Sequence, residues 1–214
     1  MEITWYGRAC FRLKGKDATV ITDPCPPSTG FVAGKHDVDL LTISHPHPDH
    51  SYTRSITAGL TLTRPGEYEF SDLLVTGVRT YHDGEAGQSR GENMVFVFEM
   101  DGVHVCHLGD LGHLLTEEQL SELGPVDVLL VPAGGNFTIS PAEAAEVAER
   151  AEDALFAELV ERLGVEVDRA QLAQQLVGLP FPPEEEIVLV RLERRQHVVG
   201  DRAAIASAGP PHAD

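Results

Sequence analysis

Three histidines and one aspartate crowd into the run Ser44-His45-Pro46-His47-Pro48-Asp49-His50. Imidazole nitrogen and carboxylate oxygen together suit zinc, iron or manganese, whereas an all-oxygen calcium or magnesium site has no use for histidine. Packing alone gives no reason for such a run. The two prolines narrow the loop's freedom, which lowers the entropy lost when several side chains are held at one point. Two more polar residues stand where apolar segments end. His82 follows the segment through Val78 and Tyr81, and Asp110 follows the segment through His104 and His107. Read singly, His82 is a surface residue and Asp110 a turn or cap residue. Beside the first run both become candidate ligands, because sites in such sheets gather at strand ends.

The elements that must position these residues are readable from periodicity and punctuation. Val38 to Ile43 is a buried strand that runs straight into the histidine cluster. Ahead of it, Ile3 to Leu13 and Ala18 to Asp23 read as strands, with a turn at Gly15 to Asp17 and prolines from Pro24 onward ending the second. Residues 50–58 read as a short helix or irregular stretch. Gly66 to Phe70 and Leu73 to Tyr81 form a hairpin that leads into a glycine-rich loop ending at Gly91. Asn93 to Met100 and Val103 to Gly109 form another, turned at Asp101-Gly102. Thr116 caps a short helix, and Val126 to Val131 is the next buried strand. Ser140-Pro141-Ala142-Glu143 starts a helix that meets no breaker before Gly164. A smaller helix over Ala170 to Val177 and a late strand over Ile187 to Leu192 complete the order. Early hairpins followed by helices predict an α/β fold with helices outside β-sheet, not a doubly wound sheet.

Length and charge bound the rest. The 214 residues suit one domain over 1–214, with the last dozen residues frayed. Lys+Arg 16 against Asp+Glu 34 gives 16 − 34 = −18, which argues against an extended nucleic-acid or anionic-membrane surface and leaves a small molecule as the expected partner. The sequence has neither the apolar run of a membrane helix nor a signal-peptide pattern, so a cytoplasmic location is expected. Cys10, Cys25 and Cys106 are odd in number and without paired spacing, which suggests buried thiols in a reducing compartment. No dinucleotide, Walker or His-Glu-x-x-His motif occurs, and Ser44 lacks the glycines of a nucleophile elbow.

The order His-x-His-x-Asp-His, a histidine before a glycine-rich loop, and Gly109-Asp110 after a strand resembles the metallo-β-lactamase superfamily. ITWYGRACFRL, ITDP at 21–24, SHPHPDH, YHDG at 81–84, RGENMVFVF at 90–98, HLGDLG at 107–112 and DVLLVPAGGNFTIS at 127–140 are similar to its small cytosolic metal-dependent hydrolases related to ascorbate-lactonase-like proteins. The resemblance implies a four-layer αβ/βα sandwich with the site at one edge of two facing sheets. It also implies that His45, His47 and His82 hold one divalent ion, that Asp49 and His50 serve a second, and that Asp110 bridges them. Asp49 and Asp110 are then the catalytic candidates. Zinc is the leading ion, with manganese or iron as alternatives, and water is directed at an ester, lactone, amide or phosphodiester bond. Asp23 is expected to orient a ligand or tie loops together. Arg90 and Asn93 either contact substrate or stiffen the loop between Gly84 and Gly91.

The sequence departs from that pattern in two places. Related hydrolases carry one further histidine on a strand after the helix that begins near Ser140. Here AEVAERAEDALFAELVERLG runs on without it, so the sandwich is expected to be incomplete near residues 150–165. The first ion site is therefore expected to be strong and the second weak or empty, unless His197, His212 or a partner chain supplies the missing group. A non-catalytic metal-binding or interaction protein is the alternative. Loss of a strand beside Val128 to Val131 leaves a sheet edge or an apolar helix face uncovered and so predicts a homodimer. Arg8 stands where many relatives carry histidine, a smaller departure.

Overall fold

Strands that are apolar at nearly every position must be covered on both faces. In the segment ENMVFVFEM, Met94, Phe96, Phe98 and Met100 enter one core cluster and Val95 and Val97 another. The computed structural model describes residues 1–70, 72–151 and the backbone of 187–191. Its first sheet has the order β1 (Glu2–Trp5), β2 (Phe11–Lys14), β3 (Thr19–Thr22), β4 (His36–Thr42) and β5 (Ile56–Leu62). The β1, β2 and β3 pairings are antiparallel, and β3, β4 and β5 run parallel. The second sheet contains β6 (Gly66–Phe70), β7 (Leu73–Tyr81), β8 (Glu92–Met100), β9 (Val103–His107), β10 (Val128–Pro132) and β11 (Ile187–Arg191), in reverse chain order across the sheet. Only the β9–β10 pair is parallel in it.

The two sheets share one core. Phe11, Leu13, Val20 and Leu40 of the first meet Val75, Phe96, Phe98 and Leu130 of the second. Burying each such side chain stabilises the fold by about 1.5–3 kcal/mol. The outer face of the second sheet is covered by α1 (Glu117–Leu123) and by α2, described over residues 141–151. Leu120 and Leu123 of α1 and Ala144, Val147, Ala148 and Ala151 of α2 pack there against Val95, Val97, Leu129 and Val131. Both helices start as their sequences require. Thr116 and Gln119 form a reciprocal capping box, and Ser140 and Glu143 exchange the same kind of bonds at 2.7 and 3.3 Å. Among the described residues, the outer face of the first sheet is covered by chain near 24–35, where Cys25, Phe31 and Ala33 pack on Ile21 and Leu41. The architecture is the metallo-β-lactamase sandwich, with the described helices on one side.

Three expectations change. Ile3 to Leu13 is not one strand: Gly7 and Arg8 take φ of 104° and 48°, and the chain folds into the β1–β2 hairpin. Of the two readings for residues 50–58 the irregular one holds as far as Ser55, and from Ile56 the chain becomes β5, a half-exposed edge strand held by its parallel pairing with β4. The edge of β10 is not open either. β11 pairs with it from Val128↔Arg191 to Pro132↔Ile187, which removes the open edge, one of the two grounds on which a homodimer was expected. The joined segment near 150–165 beyond residue 151, the predicted helix at 170–177, the frayed tail, and His197 and His212 lie outside the described residues.

Candidate metal centre

The strands β3, β4, β7, β9 and β10 all release their chain toward one edge of the sandwich, and each delivers part of the site. β4 leads into Ser44–His50, β7 into His82, β9 into Asp110 and β3 into Asp23. At this edge Met94 N–H of the second sheet donates to Ser44 O after β4 of the first at 2.8 Å, and within the second sheet Gly112 N–H donates to Tyr81 O at 2.9 Å. Close approach demands glycine. A Cβ on Gly112 would lie 2.3 Å from the His82 carbonyl carbon and the Asp83 nitrogen, and one on Gly109, at φ 56°, would meet Asn93 Oδ1 at 2.5 Å.

All six candidate ligands come together. His45, His47 and His82 each offer a ligand atom within 4.8 Å of the others, a group that could hold a metal ion. Asp110 Oδ2 is the hub of the remainder, 3.2 Å from His50 Nε2, 3.2 Å from His82 Nε2 and 3.8 Å from His45 Nε2. Asp49 Oδ2 lies 3.7 Å from His50 Nε2 on the more open side. His45 Nε2 and His82 Nδ1 are buried with no hydrogen-bond partner. An unpaired buried nitrogen costs free energy comparable to a lost hydrogen bond, and a cation would remove that cost. The donor set and its orphaned atoms thus fit a divalent transition metal.

Supporting groups fix the rings. Asp23, fully buried at 0% exposure and at φ 34°, accepts from Ser44 N–H at 2.7 Å, from the Ser44 hydroxyl, and from His50 Nδ1 at 2.9 Å. Ser44 Oγ also meets His45 Nδ1 at 2.9 Å, which turns His45 Nε2 toward Asp110. Burial opposes ionisation of Asp23, yet the His50 hydrogen bond and the His107 and His50 charges hold its carboxyl below the usual range. Burial likewise opposes charge on His50, but its hydrogen bonds to Asp110 and Asp23 win and raise it to about 10. His45 is pushed down to about 4, first by burial and then by the charge on His50. His47 is lowered by burial and by His82. Asp110 ionises well below the usual range despite its burial, because His50 and His82 donate to it. Neutral His45 and ionised Asp110 are the forms that ligate metals.

Other residues take roles that the sequence left open or concealed. Asn93 is a structural residue: its amide donates to Thr80 Oγ1 and Leu108 O, and its Oδ1 accepts from Asp110 N–H at 3.0 Å. It holds Asp110 in place and does not line the pocket. Arg8 Nη1 reaches Asp49 Oδ2 at 3.3 Å, with its backbone carbonyl tied to Trp5 Nε1 at 2.8 Å. Asp83 accepts the backbone N–H groups of Glu85, Gly87, Ser89 and Arg90, and so shapes the glycine-rich loop. The signal for it was an aspartate directly before that loop. His104 bonds Asp127 at 3.1 Å where β9 and β10 begin, at the end of the strands opposite the site, His36 meets Ala33 O, and His113 accepts from Tyr81 N–H at 3.1 Å. His107 is fully buried against Phe11. A pocket of about 590 Å³ opens onto His47, Asp49, His50, His82 and Asp110, walled by Arg8, Arg90, Gly134, Asn136, Phe137 and Thr138.

Residues 2–156 match the family of beta-lactamase superfamily domains. The chain belongs to that family. Among its relatives, a UPF0173 metal-dependent hydrolase of Methanoregula boonei is 33% identical over 178 residues, covering 70% of this chain and 77% of the relative. A solved superfamily structure from Thermotoga maritima shares 43% identity with a TM-score of 0.59, covering 72% of this chain and 70% of that one. A metal-dependent hydrolase fold from Parabacteroides distasonis aligns with a TM-score of 0.55 at 19% identity, a likeness of fold. The superfamily match spans every strand from β1 to β10 and all six candidate ligands.

Proposed function

We propose that this superfamily member is a metal-dependent hydrolase acting on an ester, lactone, amide or phosphodiester bond of a small molecule. The observation that carries the reading is the His45, His47 and His82 group, with His45 Nε2 buried and without a hydrogen-bond partner, and with His47 and His82 lining an open pocket. The relatives described as metal-dependent hydrolases support it. His45, His47 and His82 hold the first ion, zinc by donor preference with manganese or iron as alternatives. Asp49 and His50 would serve a second position, with Asp110 available to either. A bound divalent ion supplies Lewis acidity, which acidifies water and stabilises the negative charge that develops as the bond breaks.

The chain's own residues prepare that chemistry. Ser44 fixes the face that His45 presents, and Asp23 fixes His50 through the carboxylate–imidazole pairing common behind metal sites. Asn93 fixes the backbone of Asp110. The second position is the weaker one. Its carboxylate, Asp49, is shared with Arg8, and the related enzymes' further histidine has no counterpart in the sequence. That absence also favours the second reading, a metal-binding protein without turnover. The test is purified protein with a measured metal content, assayed on lactones, phosphodiesters and thioesters with zinc or manganese added. Turnover that disappears in His47→Ala supports the hydrolase. Full metal occupancy with no turnover on any substrate establishes the non-catalytic alternative.

A further inference from the structure

We infer that Arg90 and Phe137 form a recognition subsite for the substrate: the guanidinium takes an anionic group, carboxylate or phosphate, and the ring takes the apolar part that carries it. This rests on the hydrolase reading and names the class of molecule that the site accepts. Both residues line the same pocket as His47, His82 and Asp110.

The guanidinium of Arg90 is held by two carbonyls, Nη1 to Phe137 O at 3.2 Å and Nη2 to Asn136 O at 3.4 Å. Its carbon lies 4.9 Å from the centre of the Phe137 ring. Those bonds use two of the five N–H donors of a planar fork whose geometry matches a carboxylate or phosphate. Of the two arginines in the pocket wall, Arg8 faces Asp49, whereas Arg90 meets no carboxylate within ion-pair distance among the described residues. Phe137 is 58% exposed, so an aromatic surface stands open to the pocket. A pocket that combines an apolar wall with a few fixed polar groups is the usual form of a small-molecule site.

The arginine is also placed in advance. Asp83 clamps the backbone at the arginine itself, taking Arg90 N–H at 2.7 Å and Ser89 N–H at 3.0 Å. Such anchoring lowers the entropy lost on engaging a ligand. The overall charge gives a local cation a role. With a net charge of −18, the protein repels an anion at long range. A fixed positive group at the wall offsets part of that repulsion for an anionic substrate and adds little for a neutral one.

The experiment titrates the zinc-loaded full chain calorimetrically with benzoate, phenyl phosphate and benzamide. These probes share the ring and differ in the anion. At least one anion binds about ten- to a hundredfold more tightly than benzamide, the range expected of a charge-assisted contact. The tighter of the two tells carboxylate from phosphate. Arg90→Gln erases the preference while benzamide still binds, and Arg90→Lys, which keeps charge but loses the fork, lowers it severalfold. Phe137→Ala weakens all three probes alike. Equal binding of anions and benzamide overturns the subsite, as does a preference that survives Arg90→Gln, since the ion alone would then be taking the anion. If Arg90→Gln does not fold, an Arg90→Lys protein with the full preference overturns it equally. Absence of turnover on the substrate panel counts against the hydrolase and leaves this binding result to be read separately.

Discussion

Asp23 after β3 and Asp83 after β7 are both poorly exposed aspartates at the active edge, yet they organise their loops by different means. Asp23 works through side chains, gripping the Ser44 hydroxyl and the His50 ring as well as one backbone N–H. Asp83 works through backbone alone, collecting four N–H groups of the loop that carries Arg90. The first sets the direction of candidate metal ligands, and the second sets the shape of a wall. Their removal should therefore injure different properties.

The largest effect is expected from Asp23→Ala. It strands a buried backbone N–H, a hydroxyl and the proton on His50 Nδ1, a loss of about 3–5 kcal/mol by the standard of broken buried charged pairs. Zinc affinity should fall about 10–100-fold in addition, as for other groups behind metal ligands. Urea unfolding and metal titration read the two quantities, and an unchanged zinc affinity would reduce Asp23 to a structural residue. His47→Ala comes next. In the parent protein saturating zinc should add about 3–4 kcal/mol of stability at several hundred times its dissociation constant, and the substitution should abolish most of the melting difference between zinc and chelator. A mutant that keeps the full difference would place the ion elsewhere.

Gly112→Ala is expected to cost about 1–3 kcal/mol, because its Cβ meets the backbone of His82 and Asp83. A fully stable mutant would mean that the edge yields more readily than its contacts imply. The smallest and most local effect belongs to Asp83→Ala. Amide hydrogen exchange should accelerate at Glu85, Gly87, Ser89 and Arg90 with zinc affinity unchanged. The backbone hydrogen bonds overcome the opposing effect of burial and hold the Asp83 carboxyl down from the ordinary 3.8 to about 2. Its folded value lies below its unfolded one, so its stabilisation is present above about pH 4 and is lost as pH falls through about 2. Loop protection in the parent should follow that window, and in Asp83→Ala it should be low throughout. Zinc binding that falls with Asp83→Ala would erase the contrast between the two aspartates.

The residues that converge on the pocket were legible because their types are costly anywhere but at a site, and each follows a strand end. The turns with matching chemistry were legible too. Asp101 and Gly102 take φ of 54° and 74°, as a two-residue hairpin requires, and Thr116 caps α1. Arg8 was not legible as a turn residue, since nothing in arginine favours a positive φ and only its surroundings impose it. β5 was missed because its ITAGLTL pattern is mostly exposed, and backbone pairing with β4 decides its state. The roles of Asn93 and Asp83 depend on which backbone groups lie across the loops, information that resides in the tertiary structure.

The placement of β11 has a consequence for synthesis. A nascent chain that has emerged as far as residue 151 already contains the strands from β1 to β10 and every candidate metal ligand, but the row of backbone donors and acceptors along β10 finds its mate only at Ile187–Arg191. Until then that row is a template for strands of other nascent chains, the usual route from an unfinished sheet to aggregation. Solubility during translation, and not only the finished chemistry, is thus expected to depend on when Ile187–Arg191 emerges.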